Sequence, residues 1–370
     1  MFVSIIVVLI LAGLLSGICM FWKGSHIKLQ NNHATLPLLS IIIPARNEAK
    51  RLPILLDSLF QQKGTHFEVL VVDDASEDRT SEVAKSYGVT VLKNATIKNS
   101  ASGKSIACAI GAKHAKGKWL MFLDADVQFF SEDSLKKLLS AYANQQGEGI
   151  LSVQPYHKIN HLYESLSVIF NIIVAVGINR FTLWGNRPQT AGAFGPCIMC
   201  AKKDYEMNGG HMKIQNEIMD DFALSELFME NGMRVTNYLG KGTINLRMYP
   251  EGMHQLVEGW TKNLATASQS THKAVMGFVN LWILGAFIPL CMTLYGFIGN
   301  YKQLVVLGVL FYVVYGLQVM IFAKRVGNFN YLVLVFYPLF FIFFTLIFLY
   351  SLYRTKFLKY VWWKGRKIQV

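Results

Sequence analysis

"WLMFLDADVQ", residues 119–128, is the stretch whose reading decides the fold. Five apolar residues end abruptly on two acids, Asp124 and Asp126, one alanine apart. A short apolar run bounded by polar residues is the pattern of a strand buried on both faces, and such strands belong to parallel sheets. The acids then fall at the strand's carboxyl end, the edge where open α/β sheets bind ligands. Two readings stay open there. A strand end needs polar residues for plain solvation. Two carboxylates two residues apart on an extended segment also point the same way, and with room for water they suit a hard divalent ion such as Mg2+ or Mn2+.

The flanking sequence supplies the rest of such a sheet. "LSIIIPA" (39–45) is an apolar run stopped by proline, and 47–62 follows with Leu52, Leu55, Leu56 and Leu59 on one helical face. "FEVLVVDDAS" (67–76) is a second strand ending in acids, Asp73 and Asp74. A helix over 76–88 follows, with Ser76 as N-cap and Gly88 closing it. "VTVLK" (89–93), a small-residue helix over 105–117 and the 119–128 strand complete a β-α-β-α-β-α-β series. Helix-length connections of this kind predict an α/β fold with a mostly parallel sheet. A carboxylate at Asp73 or Asp74 is able to accept from a base N–H or a ribose hydroxyl, or merely to cap the next turn.

The ends of the chain are of another kind. Of the 370 residues 52% are hydrophobic, and the mean hydropathy of +0.32 exceeds that of an ordinary water-soluble protein. Residues 1–22 carry no charge, nor do Ala274–Tyr301, Gln303–Ala323 or Val326–Tyr353. Each run reaches the roughly 20 residues that a bilayer-spanning helix needs. The predicted organisation is an N-terminal membrane anchor (1–22), a water-facing α/β domain (36–268), C-terminal transmembrane helices (274–353) and a basic, aromatic interfacial tail (354–370). Residues 1–22 lack the basic start of a cleaved signal, and Lys23 and Lys28 after them predict that the domain is cytoplasmic. The fifteen uncharged residues from Ser165 to Asn179 are short for a span and are expected to lie buried or at the interface.

The net charge is +13, and six of the cations fall in the last seventeen residues with Tyr360, Trp362 and Trp363 among them. Directly after a membrane segment, that pattern reads as a tail on anionic lipid rather than a nucleic-acid site. One conflict remains. Three spans after a cytoplasmic domain leave this tail outside, against the preference of cations for the cytoplasm. Pro289 and Pro338 each mark a place where a segment could break or re-enter.

Other stretches offer weaker chemistry. "SGKS" (102–105) lacks the upstream glycine of a phosphate-binding P-loop, since Lys98 stands there, but Lys104 lies at the same sheet edge. Asp220 and Asp221 precede a helix, where acids are favourable anyway and where one in a cleft can act as general base. Trp260 and Lys262 fall just before the membrane; among His157, His161, His211 and His254 only 157/161 has i, i+4 spacing, and "HKINH" lacks the acid of H-E-x-x-H, so that pair reads as chance. Cys197 and Cys200 are half a zinc site with no second half, so they read as small residues of a buried strand.

In order, "SIIIPARNE" (40–48), "VVDDASEDRT" (71–80), "GKSIACAIG" (103–111), "FLDADV" (122–127), "FGPCIMCAKKDYEMNGGH" (194–211), "DDFAL" (220–224) and "EGWTK" (258–262) resemble a membrane-attached family 2 glycosyltransferase of the GT-A fold. "ILSVQPYH" (150–157), "MYPEGMHQLVEGWTK" (248–262) and "WKGR" (363–366) carry a closer likeness to members that glycosylate C30 carotenoid acids. The resemblance implies a UDP-sugar donor, a divalent metal and a hexosyl ester product. It implies a nucleotide-sugar pocket of Pro44, Ala45, Glu48, Asp73, Asp74, Lys104, Asp124 and Lys262. Asp124 and Asp126 match the metal-binding D-x-D, with Asp126 the more direct ligand. Asp220 and Asp221 match the catalytic acid pair, and Trp260 and His211 are candidates for the acceptor side. The implied partners are the sugar nucleotide, the carotenoid acid, membrane lipid and other enzymes of the same pathway.

Two departures stand out. Ala75 takes the place of a usual glycine, and no Q-x-x-R-W follows, which argues for single transfer rather than polymer synthesis. Other lipid acceptors (polyprenyl phosphate, hopanoid, diacylglycerol) and a non-catalytic nucleotide-sugar scaffold remain as alternatives.

Overall fold

The computed structural model describes residues 2–28, 36–94, 103–185, 187, 189–217, 219–267, 271–358, 360–363 and 366–369. Ser102 of the "SGKS" stretch and Lys359 and Lys364 of the basic tail lie outside the described residues.

The chain opens with helix α1 (Phe2–Met20). Then come β1 (Leu39–Ala45), α2 (Leu52–Phe60), β2 (Phe67–Asp73), α3 (Thr80–Ser86), β3 (Thr90–Lys93), α4 (Gly103–His114) and β4 (Trp119–Leu123). The short β5 (Val127–Phe129) precedes α5 (Ser134–Asn144), β6 (Ile150–Gln154), the two-residue β7 (Tyr156–His157) and α6 (Val168–Gly177). β8 (Cys197–Ala201), α7 (Lys202–Met207), α8 (Gly210–Lys213), α9 (Asp220–Glu230), β9 (Val235–Leu239) and β10 (Ile244–Leu246) follow. The last part is helical: α10 (Met253–Ala267), α11 (Lys273–Ile298), α12 (Lys302–Val326), the one-turn α13 (Tyr331–Val335) and α14 (Tyr337–Tyr353), before a ribbon of β11 (Tyr360–Trp363) and β12 (Arg366–Gln369).

These elements form two compact units, each assembled from separated stretches. The α/β unit comprises Ser25–Tyr156 and Gly192–Arg247. Among its described residues, seven strands form one sheet in the order β3-β2-β1-β4-β8-β6-β9. β1 to β4 are mutually parallel, as the sequence predicts, and β8 runs antiparallel between β4 and β6. The alternation of side chains explains why these strands read as continuous apolar runs. Ile41, Ile43, Met121 and Leu123 pack on the face covered by α2 and α5. Ile42, Leu120 and Phe122 pack on the opposite face, covered by α4 and α9. The same alternation disposes of the C-x-x-C reading. Cys197 and Cys200 are three residues apart on β8, so they lie on opposite faces of the sheet, both buried.

Two helix starts differ from expectation. α2 begins at Leu52 rather than near Asn47, because Asn47 takes a left-handed conformation with φ of 53°. α3 begins at Thr80, and Ser76 is not its cap. Ser76 instead donates its N–H to Asp73 (3.0 Å) and accepts from the Asn47 N–H (3.1 Å). The Asn47 side chain accepts from Glu77 N–H (2.8 Å), and Glu48 N–H donates to Thr80 Oγ1 (2.8 Å). The loops after β1 and β2 are thus laced into one rim.

The helical unit comprises Met1–Gly24, His157–Ala191 and Met248–Val370. α1, α11, α12 and the helix from Tyr337 are each long and apolar enough to cross a membrane. α6 has ten residues with most side chains buried, too few for a span, as expected. Gly13 and Gly285 let α1 and α11 approach closely, in reach of the Tyr315 hydroxyl. Gln318 ties three helices together: it accepts from Trp282 Nε1 (2.9 Å) and donates to the Leu14 carbonyl (2.7 Å). The Arg325 guanidinium donates to the Phe21 carbonyl at 2.5 Å.

Candidate active site

The carboxyl ends of β1, β2 and β4 and the first turns of α4 and α9 bring one set of polar groups together. Lys104, on the first turn of α4, sits between two carboxylates, with Nζ 2.9 Å from Asp124 Oδ1 and 3.6 Å from Asp221 Oδ1. Burial works against the lysine's charge, but Asp124, Asp220 and Asp221 outweigh it and hold its pKa well above the ordinary value. Asp124 is fixed by a turn in which its carbonyl accepts from Val127 N–H (3.2 Å) and its own N–H donates to the Pro196 carbonyl (3.1 Å). Asp221 lies tight against Gly195, where any Cβ would collide with its carboxylate. Burial raises the Asp221 pKa to about 7, Asp220 and Asp124 add to the rise, and Lys104 opposes it. One oxygen of Asp220, Oδ2, is buried with no hydrogen-bond partner.

A second group surrounds Asp126. Burial pushes this carboxyl up to about 7, the charges of Asp124 and Glu48 contribute, and Arg51 opposes them. Arg51 Nη1 lies 3.5 Å from Glu48. Such an excess of negative charge is what a divalent cation relieves. Among the described residues, no three His, Cys, Asp or Glu side chains are arranged to hold a metal. Asp124 and Asp126 lie in the turn between β4 and β5 rather than on an extended segment; as two hard oxygen donors they would leave most of the shell of an ion such as Mg2+ to water and phosphate oxygens.

A third group lies at the end of β2. Asp74 accepts from Asn94 Nδ2 (2.8 Å), lies 3.9 Å from Arg46 Nη1, and is abutted by Gly103 at the start of α4, where a side chain would strike the carboxylate. Its N–H donates to the Ala45 carbonyl (2.9 Å), which registers the ends of β1 and β2. Pro44 and Ala45 close β1 beside it.

Several expected residues do other work. Asp73, expected beside the nucleotide, turns inward and takes hydrogen bonds from Ser76 N–H and from the Ser81 hydroxyl. It closes the turn after β2, the capping role left open in the sequence. His211 is 2% exposed, packed 4.7 Å from the Phe122 ring and 3.2 Å from the Tyr205 hydroxyl. Burial lowers its pKa to about 4, Asp220 opposes that shift and Lys104 adds to it. It packs inside the α/β unit, beside Phe122 and Tyr205. Trp260 and Lys262 belong to α10 in the helical unit. Trp260 is 2% exposed, stacked 4.6 Å from Phe170, with Nε1 donating to Ser167 Oγ (2.9 Å). Arg46, Arg51, Asn94 and Gly195 are the contributors that the sequence does not single out. The two arginines flank Glu48 in a stretch already identified, but only the fold discloses Asn94 and Gly195.

Comparison with known proteins identifies the family and the fold. The model for "Glycosyl transferase family 2" matches residues 40–200. The chain is 37% identical over 371 residues to 4,4'-diaponeurosporenoate glycosyltransferase of Staphylococcus aureus strain USA300, covering 99% of this chain and 97% of that one. The same enzyme from strain MRSA252 is 37% identical over 374 residues, with the same coverage. Among solved structures, a mannosyltransferase from Pyrobaculum calidifontis in complex with GDP-Man and Mn2+ superposes with a TM-score of 0.51, covering 94% of this chain and 99% of that one at 15% identity. At that identity the match speaks for the GT-A fold alone.

Proposed function

The chain belongs to glycosyl transferase family 2, and from that premise we propose that it moves glucose from UDP-glucose to the carboxylate of a C30 carotenoid acid in the membrane, forming a glycosyl ester. The acceptor follows the name of the relatives that match along the whole chain. The observation that carries the chemistry is the row of Asp124, Lys104 and Asp221 at the sheet's carboxyl edge.

In this reading Asp74, oriented by Asn94, accepts from the N–H of the nucleotide base. Lys104 offsets the charge that develops on the departing diphosphate, commonly the largest single contribution in such reactions. Asp124 and Asp126 would hold a divalent ion, which would neutralise diphosphate charge. An acceptor carboxylate oxygen attacks the anomeric carbon from the face opposite the diphosphate. The C–O bond to UDP breaks, its electron pair leaves with UDP, and the anomeric centre inverts. A carotenoid carboxylic acid has a reference pKa of about 4 and is already ionised near neutral pH. No proton has to be removed, so Asp221 orients the acceptor or the sugar.

A hydroxyl-bearing lipid is the second reading, and Asp221 favours it: a carboxyl near 7 suits a general base for an alcohol. Membranes holding the protein, given labelled UDP-glucose with the carotenoid acid, a polyprenyl phosphate, a hopanoid or diacylglycerol in turn, separate these outcomes. Label in a base-labile carotenoid ester is expected. Label in one of the other lipids alone removes the acceptor assignment. Binding of UDP with Mn2+ and no transfer to any lipid leaves a scaffold.

A further inference from the structure

The last apolar helical stretch, Tyr337–Leu358, is long enough to cross a membrane, yet contacts within the helical unit hold both ends of residues 327–353 at one face. Entry is fixed next to His157: Asn328 N–H donates to the His157 carbonyl (3.1 Å), and Asn328 Oδ1 accepts from Ile159 N–H (2.6 Å). Exit is fixed on α10, where Ser351 Oγ donates to the Thr261 carbonyl (2.7 Å). α10 carries His254, Glu258 and Lys262 and is no membrane span. The two anchor points belong to one platform, because the Tyr163 hydroxyl donates to the Tyr249 carbonyl (2.9 Å) and accepts from Gly252 N–H (3.1 Å).

Between these ends the chain goes inward and returns. The Tyr337 ring lies 4.8 Å from Tyr312 and 6.0 Å from Tyr315. At 1.5 Å per helical residue, Tyr315 and Tyr312 lie about 17 and 21 Å from Val326 along α12. Phe341, one turn on, packs 4.8 Å from Trp282 on α11. The helix from Tyr337 to Ser351 then climbs about 21 Å, back to the level from which the chain set out. α11 and α12, with 26 and 25 residues, run about 38 Å each and exceed the roughly 30 Å hydrocarbon core.

We infer that residues 327–353 form a re-entrant hairpin with its apex near Tyr337, so that the chain crosses the membrane three times and its tail emerges on the face that carries Lys23, Lys273, Lys324 and Arg325. A break inside hydrocarbon leaves backbone groups that need partners, and the apex supplies them. The Tyr312 hydroxyl donates to the Val335 carbonyl (2.5 Å), and Leu339 N–H donates to the Phe336 carbonyl (3.0 Å). Pro338 occupies the first turn of α14, where a missing N–H is harmless. Three crossings also remove the conflict over charge. Arg354 and Lys356 join the cations of one face, and the loop at the opposite end, Gly299 to Tyr301, is followed by a single cation, Lys302. Cations on the cytoplasmic side are the rule.

The test is cysteine accessibility in the full-length chain with Cys19 and Cys291 replaced by alanine. Asn300→Cys, Thr355→Cys and Lys356→Cys are made singly and treated in intact cells with a membrane-impermeant maleimide, then again after permeabilisation. Asn300→Cys is expected to label in intact cells, and both tail positions only after permeabilisation. Two tail positions guard against one variant failing to insert. Labelling of either tail position in intact cells, or failure of Asn300→Cys to label there, overturns the hairpin.

Discussion

At the scale of single residues, the site's behaviour turns on which acids are held ionised. If the acceptor is a carboxylate, Asp221→Asn should lower kcat by less than about 10-fold, whereas a general base contributes roughly 10² to 10⁴. A loss of about 10³ or more with the donor KM unchanged would place proton removal at Asp221. Ala75 has a φ of 53°. Left-handed backbone costs an L-residue roughly 1–2 kcal/mol, so Ala75→Gly should raise stability by about 1 kcal/mol in denaturant unfolding. Lower stability would mean that the left-handed turn carries no strain.

His211, held near 4 by burial, makes stability depend on pH in a calculable direction. Its folded pKa lies below the roughly 6.5 of the unfolded chain. Above 6.5 neither state is protonated and there is no effect. From about 6.5 down to 4 the unfolded chain takes up a proton that the folded one refuses, so stability falls by up to about 1.4 kcal/mol per pH unit. His157, lowered by burial to about 3, extends the fall. Asp126 and Asp221, raised to about 7, push the other way over the same range, so the readout is the difference between two proteins: in thermal unfolding in detergent from pH 7.5 to 4.5, His211→Gln should lose stability less steeply than the parent, by up to about 1.4 kcal/mol per pH unit. An equal slope in the variant would contradict the buried neutral histidine.

These residues divide cleanly by legibility. Asp74, Lys104, Asp124 and Asp221 were legible because each falls at a strand end or helix start that the apolar pattern locates. Asp73, His211 and Trp260 were not. Their hydrogen bonds and burial come from Ser81, Tyr205, Ser167 and Phe170, partners that no local spacing announces.

At the scale of elements, the parallel strands β1 to β4 were legible because strands buried on both faces read as unbroken apolar runs. β8 reversing between β4 and β6 was not, since direction depends on long-range pairing that composition does not encode. That reversal matters to the site. It brings Pro196 to the Asp124 N–H and Gly195 against Asp221. Gly195→Ala should therefore displace Asp221 from Lys104 and lower kcat by no more than Asp221→Asn does, less than about 10-fold if Asp221 only orients its partner. Its backbone is not left-handed, so the fold should survive, as circular dichroism and unfolding would report. Unchanged kcat would mean that Asp221's position is immaterial. In the helical unit the apolar runs disclosed the helices, but not that the last of them begins beside the middle of α12. Pro338 flagged the place, and only the packing of Tyr337 on Tyr312 and Tyr315 gives its depth.

At the scale of the whole molecule, the chain passes repeatedly between an α/β unit and a helical unit. That interleaving was hidden in the sequence, where residues 157–191 read as part of the water-facing domain, with Ser165–Asn179 buried or at the interface. It suits the proposed chemistry, which joins a water-soluble sugar nucleotide to a polyene that stays in the bilayer. Each CH2 withdrawn from an apolar phase costs about 0.8 kcal/mol, so the acceptor is met where it dissolves. Mass spectrometry of pigments from carotenoid-acid-producing cells tests the central claim most directly, comparing cells without the gene, with the gene, and with its Asp126→Asn form. The account requires a carotenoid ester heavier than the free acid by one hexosyl residue, a hexose less one water, with the gene alone, and only free acid in the other two, with the variant protein still in the membrane. A pigment profile identical in all three, or a hexosyl ester made equally by the Asp126→Asn form, would contradict it.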